Sequence, residues 1–247
     1  MVAAAAVAFA IVSYTWITLP DVRTLRRQNP TTTAFMRLRA DEAKAAGQPA
    51  TKVQRWISYG RISPALVRAV LVAEDAGFWQ HDGIDLDEIR ASMELNWARG
   101  DLSRGASTIT QQLAKNLYLS PSRNPYRKIA ELLITRRMEA ELPKGRILEI
   151  YLNVIEWGNG IWGAEAASQR YFGVSASALA PEQAALLAGA IINPRVYSPA
   201  RPNARLRNRQ QLILGRMGEF APPAAPVPTL NVPITPGLPP GMLGSGS

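Results

Sequence analysis

Residues 105–116 combine side-chain types that are typical of a ligand-binding helix face. At about 100° per residue, the polar side chains of this segment fall on one half of a helix, and Ile109 and Leu113 fall on the other. The polar half consists of Ser107, Thr108, Gln111, Gln112, Lys115 and Asn116. A helix face that meets only water is usually rich in Glu, Lys and Arg, whereas this face carries hydroxyls and amides around one lysine. The pattern predicts a face that holds a ligand.

Glu74 is the first candidate for acid or base chemistry. It follows Leu66 and Val70 at intervals of four residues, so a carboxylate ends an otherwise apolar helical stripe. Burial and the negative end of the helix dipole both disfavour the charged form, so both would raise the pKa of Glu74. A carboxylate with a raised pKa, just before a glycine-containing loop, is suited to general acid or base catalysis.

A purely structural interpretation of the same residues stays open. Glu74 and Asp75 would then cap the helix or pair locally with Arg68 or His81. His81 is the single histidine and the chain has no cysteine, so a zinc cluster and a cysteine nucleophile are not supported. We therefore interpret His81 as a hydrogen-bonding loop residue.

A second group of charged residues follows Pro125, which is predicted to open a helix. Arg127 and Lys128 lie four and three residues before Glu131, so all three share one helix face. One interpretation is a salt-bridge ladder on the protein surface. The other is a cationic site for a diphosphate, completed by Lys115, in which Glu131 orients the cations or holds a divalent metal.

Several other chemistries lack their sequence patterns. The chain has no Ser-x-x-Lys, Lys-Thr-Gly or Gly-x-Ser-x-Gly, so a penicillin-binding serine and a hydrolase nucleophile are not supported. It also has no Walker A loop for a nucleotide. The formal charge of +9 indicates an anionic partner. Aromatic residues make up only 7% and no nucleic-acid motif is present, so we expect lipid or lipid phosphate and no nucleic acid.

The elements that must position these residues are mainly helices. Ser63 is predicted to cap a helix that begins at Pro64, and Pro143 with Gly145 closes the helix that Pro125 opens. Further helices are predicted over residues 146–155, 164–171, 181–192 and 203–217. Irregular loops are predicted around residues 77–85 and 157–163. The arginines of the last helix are interpreted as a basic face near anionic lipid. The predicted fold class is mostly α.

Both ends of the chain differ in composition from the middle. Residues 1–20 carry no charge and are long enough for a transmembrane helix, with Tyr14 suited to the interface. One N-terminal anchor is therefore expected, and a cleaved signal peptide is the alternative. Residues 21–50 are predicted to be a tether, residues 51–217 the globular domain, and residues 218–247 a proline-rich disordered tail.

Four segments, in this order, resemble the motifs of the peptidoglycan glycosyltransferases of family 51. They are residues 74–85, residues 105–116, Arg127 and Lys128 with Glu131, and residues 146–153. Residues 163–173 are similar as well, and the likeness runs from residue 62 to residue 194. The short chain, the single expected anchor and the missing transpeptidase patterns resemble the monofunctional biosynthetic members rather than the bifunctional penicillin-binding proteins.

The resemblance implies a lysozyme-like α-helical domain on the periplasmic side of the cytoplasmic (inner) membrane, held by one transmembrane segment. It implies an enzyme of peptidoglycan synthesis that polymerises lipid II, by inverting transfer of the growing undecaprenyl-diphosphate-linked strand to the 4-hydroxyl of lipid II. Implied partners are lipid II, the growing glycan strand, the membrane and other cell-wall synthesis proteins. The positive-inside rule predicts the opposite orientation of the domain. Arg23, Arg26 and Arg27 follow the apolar segment, so the rule places the C-terminal side of that segment in the cytoplasm.

The resemblance also implies roles for individual residues. Glu74 would be the general base for the acceptor 4-hydroxyl. Glu131 with three cations would hold the leaving diphosphate, either directly or through Mg²⁺ or another divalent cation. The three cations are Lys115, Arg127 and Lys128. The residues implied to line the cleft are Ser107, Thr108, Gln111, Gln112 and Asn116. Asp75 and His81 would shape the loop around the base, and Asn153 would support the cleft from behind.

Two other functions compete with this one. A lysozyme-like lytic transglycosylase or muramidase, which cleaves glycan, would also use a glutamate in a helical domain. Cleavage needs no diphosphate site, so the group of Lys115, Arg127 and Lys128 favours synthesis. A non-enzymatic, membrane-anchored scaffold would use Glu74 and Glu131 only as salt-bridge partners.

Overall fold

Helices make up most of the described residues in a computed structural model, which describes residues 5–6, 9–10, 13–14, 17–99, 107–119 and 125–219. The helices are α1 (Ala34–Ala45), α2 (Pro64–Glu74), α3 (Leu86–Arg99), α4 (Ile109–Tyr118), α5 (Pro125–Glu141), α6 (Lys144–Val154), α7 (Ala164–Phe172), α8 (Pro181–Ala190) and α9 (Ala204–Glu219). Short strands accompany them, namely β1 (Val53–Gln54), β2 (Glu156–Gly158) and β3 (Ile161–Trp162). The prediction of a mostly α fold is confirmed.

Capping side chains define where α2 and α4 begin. Ser63 Oγ accepts a hydrogen bond from the Ala65 N–H at 3.2 Å, and Pro64 occupies the first turn of α2, as predicted. α4 begins with a capping box, in which Thr108 Oγ1 accepts from the Gln111 N–H and Gln111 Oε1 accepts from the Thr108 N–H. These caps satisfy N–H groups that a helix leaves without an internal partner.

Pro143 separates two consecutive helices. α5 ends at Glu141, before the proline, as predicted. Pro143 is the N-cap of α6, so Gly145 lies in the first turn of α6 and does not close α5. The other predicted boundaries of α6 to α9 agree with the structure to within two residues.

The apolar faces of α2, α4 and α6 meet in the hydrophobic core. Leu66 and Val70 of α2, Leu113 of α4, and Ile147 and Leu148 of α6 have no exposed surface. Burying a side chain of this size contributes roughly 1.5–3 kcal/mol, before the entropy of ordering it is subtracted. α8 and α9 pack against α2, and α5 packs against α4. The packing brings the C-terminus of α2 next to the N-terminus of α4.

A small sheet occupies much of residues 157–163, which were predicted to be an irregular loop. β2 and β3 form an antiparallel pair with a bulge, and β1 joins β3 in parallel, giving the order β1-β3-β2. The turn between β2 and β3 uses Gly160 at φ +70°, which favours glycine. The loop prediction is wrong because strands of two or three residues are too short to show alternation in a sequence.

Residues 21–50 fold onto the domain instead of forming the predicted tether. Val22 and Leu25, in a 3-10 turn, and Met36, in α1, are buried. Arg146 of α6 donates to the Leu25 carbonyl at 2.8 Å. The tether prediction is wrong because a few buried apolar side chains and one arginine hold a segment whose average composition is polar.

The predicted terminal segments are described only in part. Within the predicted anchor, the structure describes residues 5–6, 9–10, 13–14 and 17–20. No helix among the described residues is both long enough and apolar enough to cross a membrane. α9 continues to Glu219 and so includes the first two residues of the predicted tail, while residues 220–247 lie outside the described part. The anchor and the disordered tail stay predictions.

Asn153 joins α6 to the segment that follows β1. Its Oδ1 accepts from the Ile57 N–H at 2.8 Å, and its Nδ2 donates to the carbonyl oxygens of Ile57 and Glu149, each at 2.8 Å. The side chain is fully buried. Gly163, at φ +85°, lies so close that a Cβ there would be 2.7 Å from the Asn153 carbonyl oxygen. Asn153 is thus a scaffold residue that does not line the cleft described below.

Replacing Asn153 by Ala should destabilise the fold strongly. The change leaves the N–H and C=O of Ile57 without their partner in a buried place, so we expect the free energy of unfolding to fall by about 2–4 kcal/mol. Urea denaturation followed by circular dichroism measures this. Asn159→Ala, at an exposed position of the turn between β2 and β3, is the matched control. Equal stability of the two variants would contradict the assigned role.

Candidate active site

The side chain of Glu74 lies at the C-terminus of α2 and faces a cleft of about 790 Å³. Only 12% of this side chain is exposed. Gln112 Nε2 of α4 donates to Glu74 Oε2 at 3.0 Å, and Arg209 Nη2 of α9 lies 3.5 Å from Oε1. Burial raises the pKa of Glu74, and the contacts with Gln112, Arg209 and Lys115 oppose that shift only in part. The direction agrees with the sequence prediction, although the cationic partner is Arg209 and not Arg68.

Asp75 connects the end of α2 to the loop and to α4. Its Oδ2 accepts from the Ile109 N–H, the first of α4, at 2.8 Å, and its Oδ1 lies 2.9 Å from His81 Nε2. His81 Nδ1 accepts from the Gly83 N–H at 3.1 Å, so Nε2 carries the proton that is shared with Asp75. The local pairing of Asp75 with His81 is therefore confirmed. Both residues shape the loop beside Glu74, as the resemblance implied.

Asp75, His81 and Asp85 form a group whose ligand-type atoms lie within 4.8 Å of one another. Hydrogen bonds already use both carboxylate oxygens of Asp75 and both ring nitrogens of His81. Asp85 Oδ1 accepts from the Glu88 N–H at 2.7 Å, and Oδ2 faces Gly77, where a Cβ would come within 2.7 Å. These hydrogen bonds show that the three side chains stabilise the loop. We therefore assign no metal to them.

The polar face of α4 and the residues before it contribute one wall of the cleft. The predicted residues that line it are Ser107, Thr108, Gln112 and Lys115. Ser107 and Thr108 precede the helix, whose first residue is Ile109. The part of the predicted ligand face in residues 105–106 lies outside the described residues.

Gln111 and Asn116 were expected to line the cleft but serve the helix itself. Gln111 is buried in the capping box with Thr108. Asn116 is also buried, and its Nδ2 donates to the backbone oxygen of Gln112 at 2.8 Å. This part of the prediction is wrong because a helical wheel gives the direction of a side chain and not what covers it.

The carboxylate of Glu131 is buried in α5 and is paired on both oxygens. Lys128 Nζ lies 2.5 Å from Oε1, and Arg127 Nη1 lies 3.6 Å from Oε2. Only 5% of the Glu131 side chain is exposed, so the group differs from an ordinary surface salt-bridge ladder. Arg127 Nε is buried and has no hydrogen-bond partner among the described residues.

Lys115 brings this cationic group into electrostatic reach of Glu74. Burial lowers the pKa of Lys115, Glu131 and Glu74 raise it, and Arg127 and Lys128 lower it. Within the described part of the chain, the Lys115 ammonium has no hydrogen-bond partner, so its donors are available to a ligand. Lys115 lines the cleft, whereas Arg127, Lys128 and Glu131 are not among its lining residues, so the diphosphate site stays a prediction.

The surroundings of Glu131 do not suit a divalent cation. Mg²⁺ requires oxygen ligands in near-octahedral geometry. The two oxygens of Glu131 already contact Lys128 and Arg127, and Lys115 adds a third positive charge. The residues described here fit direct contact of a diphosphate with cations, so the mechanism below includes no metal.

α9 contributes cleft residues that the sequence analysis did not predict. With the segment after α8, it adds Ile192, Arg209, Leu212 and Arg216 to the lining. Arg209 reaches Glu74, so the interpretation of the α9 arginines as a basic face near lipid is wrong for this residue. The sequence did contain a signal for the position of Arg209. Leu206, three residues before it, and Ile213, four residues after it, are apolar and buried, so Arg209 lies on the same inward face of α9.

Tyr151 of α6 is the other functional residue without a predicted role. It is fully buried, and its hydroxyl donates to Gln112 Oε1 at 2.9 Å. Ile147 and Leu148 share its apolar helix face. A tyrosine hydroxyl on an apolar face requires a buried partner, and this requirement was the signal available in the sequence.

A helical domain thus places the buried carboxylate of Glu74 and the side chain of Lys115 in one cleft, and Lys115 interacts electrostatically with the charged group on α5. The carboxylate of Glu74 is suited to proton transfer, and the group around Lys115 is suited to an anionic leaving group. These features define the class of enzymes that transfer or cleave glycosyl groups.

Comparison with known proteins identifies the family. The family model described as Transglycosylase matches residues 41–218. A "Biosynthetic peptidoglycan transglycosylase" from Nitrosospira multiformis is 48% identical over 195 residues, which cover 79% of this chain and 85% of that protein. Proteins of the same name from Nitrosomonas eutropha (47%, covering 90% and 88%) and Aromatoleum aromaticum (52%, covering 68% and 74%) are also similar. The chain belongs to the transglycosylase family.

The stability of the Glu74→Gln variant, compared with that of the wild type, should increase as the pH rises from acid to alkaline values. A raised pKa means that folded Glu74 binds its proton more tightly than in the unfolded chain, so stability falls as pH rises above 4.5. Glutamine keeps the size and removes the buried charge. Melting temperatures at pH 4 and pH 8 measure the difference, with the exposed Glu182→Gln as control. A difference in melting temperature between the two proteins that is the same at pH 4 and pH 8 would contradict a raised pKa of Glu74.

Proposed function

We propose that this transglycosylase polymerises lipid II into glycan strands of peptidoglycan. The growing strand on undecaprenyl diphosphate is the donor, and the 4-hydroxyl of lipid II is the acceptor. The observation that carries the proposal is the cleft itself, where Lys115 lies in electrostatic reach of both Glu74 and Glu131. The family, and the name carried by the relatives, support the same reaction.

Glu74 is the general base of the proposed reaction. Its ionised carboxylate takes the proton of the 4-hydroxyl while that oxygen attacks the anomeric carbon from the face opposite the diphosphate. The new glycosidic C–O bond forms as the bond to the diphosphate oxygen breaks, and the configuration inverts. Burial raises the pKa of Glu74 towards the range in which a base both ionises and accepts a proton readily.

The cationic group stabilises the diphosphate as it leaves. The Lys115 ammonium has no hydrogen-bond partner in the described part of the chain, and it interacts electrostatically with Arg127 and Lys128 of α5. Glu131 pairs with both of the α5 residues and so holds them together on one helix face. Cations held in a partly desolvated site interact more strongly with developing negative charge than they would in water.

The diphosphate site distinguishes synthesis from cleavage. A glycan-cleaving enzyme of lysozyme-like fold needs a carboxylate but no cations for a diphosphate. Cleavage does not require the buried Glu131 or the Lys115 ammonium, which has no hydrogen-bond partner among the described residues. We therefore favour lipid II polymerisation within a lysozyme-like domain.

The lipid-linked substrate places the reaction at a membrane. The proposal includes a single-pass anchor in residues 1–20, with the catalytic domain on the periplasmic side of the cytoplasmic membrane. Of the described positions in that segment, Phe9, Tyr14 and Ile17 are exposed, which is consistent with a nonpolar surrounding. Other cell-wall synthesis proteins are proposed partners.

Glu74→Gln should abolish most of the polymerisation of lipid II. Glutamine cannot accept the proton, so we expect the rate to fall by about 10²-fold or more. Purified protein is incubated with labelled lipid II in detergent or liposomes, and glycan products are separated on a gel. Glu182→Gln is the matched control. Polymer from Glu74→Gln at the wild-type rate would favour the scaffold, and glycan cleavage without polymer from the wild type would favour the lytic enzyme.

Lys115→Met should lower kcat for polymerisation by about 10²- to 10³-fold, because a cation that stabilises the leaving group is lost. The methionine keeps the length of the side chain. Steady-state kinetics with lipid II provides the measurement, and Lys44→Met, at an exposed position of α1, is the control. Unchanged kcat in Lys115→Met would remove the diphosphate site from the mechanism.

A further inference from the structure

A chain of hydrogen bonds runs from the buried Tyr151 to the carboxylate of Glu74. The Tyr151 hydroxyl donates to Gln112 Oε1 at 2.9 Å, and Gln112 Nε2 donates to Glu74 Oε2 at 3.0 Å. The three residues belong to α6, α4 and α2, so the chain crosses the core between three helices. Tyr151 has no exposed surface and does not line the cleft.

The amide of Gln112 has two orientations, and Tyr151 favours one. Within the described part of the chain, the Tyr151 hydroxyl has no hydrogen-bond acceptor other than Gln112 Oε1. The amide therefore presents its oxygen to Tyr151 and its NH₂ group to Glu74. A weaker contact from the same NH₂ to the Ser107 carbonyl, at 3.4 Å, is compatible with this orientation. The reversed amide would leave the tyrosine proton without an acceptor in the core.

This orientation matters for the charge of Glu74. An NH₂ donor stabilises an ionised carboxylate, whereas an amide oxygen in its place would stabilise the protonated acid. Burial raises the pKa of Glu74, and the bond from Gln112 lowers it. The buried hydroxyl of Tyr151 thus favours the form of Glu74 that accepts a proton.

Other charged groups face Glu74 but do not replace this contact. Arg209 of α9 lies 3.5 Å away, Lys115 of α4 acts at longer range, and Asp75 adds a negative charge from the next position in the chain. The cleft lining also includes Asp85, Glu88 and Arg216. Among the described residues, Gln112 makes the shorter contact with Glu74, at Oε2, and Arg209 makes the longer one, at Oε1. Oε1, with the weaker contact, is the oxygen that we assign to receive the proton.

We propose that Tyr151 is a positioning residue, which holds the Gln112 amide so that Glu74 stays oriented and ionised for proton acceptance at Oε1. The inference rests on the proposed role of Glu74 as the general base. It also gives Gln112 a second role. Gln112 lines the cleft, and in the proposal it also orients the base.

The pH dependence of kcat/KM for lipid II tests this positioning role. Activity requires ionised Glu74, so it rises with pH through the pKa of Glu74 in the free enzyme. Tyr151→Phe removes only the hydroxyl, and we expect the acidic limb to move to higher pH by about one unit, the scale of one hydrogen bond to a charged group. Above the limb, activity should approach that of the wild type.

The matched control is Tyr171→Phe. The Tyr171 hydroxyl also donates one hydrogen bond, to the Trp157 carbonyl at 3.2 Å, but the residue does not line the cleft around Glu74. Its profile should coincide with that of the wild type. Gln112→Met breaks the same chain at the amide and should move the limb in the same direction as Tyr151→Phe, which keeps the test decisive if Tyr151→Phe fails to fold.

The outcomes separate the two proposals. An inactive Glu74→Gln together with an unmoved limb in Tyr151→Phe overturns the positioning role and leaves the general base in place. An equal loss of activity at every pH in Tyr151→Phe also overturns it, because a purely structural role lowers the rate without moving the limb. An active Glu74→Gln overturns the proposed function itself.

Discussion

The carboxylate of Asp75 holds the two halves of the cleft together. One oxygen accepts the first N–H of α4, at Ile109, and the other pairs with His81 in the loop after α2. A helix N-terminus carries partial positive charge, which suits a buried carboxylate at this junction. Because Asp75 directly follows Glu74, these bonds set the distance between the end of α2 and the start of α4. The contact between Glu74 and Gln112 depends on that distance.

Burial shifts the two central charges in opposite directions and makes them depend on each other. It raises the pKa of Glu74 and lowers the pKa of Lys115, so each group alone would tend towards its neutral form. Arg209 and Lys115 attract the Glu74 charge, and Glu74 and Glu131 attract that of Lys115. Such a site costs stability, which the packing of α2, α4 and α6 offsets. A bound diphosphate would complete the charge balance.

The polar face of α4 serves both the fold and the ligand. Gln111 caps the helix, and Asn116 bonds to the backbone one turn earlier. The amide oxygen of Gln112 accepts a hydrogen bond from Tyr151, and its NH₂ group donates one to Glu74. Hydroxyls and amides are therefore present for two reasons, and only part of the face lines the cleft. The same residue types that predicted a ligand site also build its walls.

Sequence alone determined most of the helices from Pro125 onward, the cap at Ser63, and the pairing of charged residues along α5, because these depend on neighbours within a few positions. It also indicated a buried Glu74 through one apolar stripe. It did not indicate α1 or α3. Only the tertiary structure decided that Arg209 reaches Glu74 from α9 and that hydrogen bonds link Tyr151 to Glu74 through Gln112. These contacts join residues far apart in the chain, and helical periodicity gives the direction of a side chain but not the neighbour that covers it.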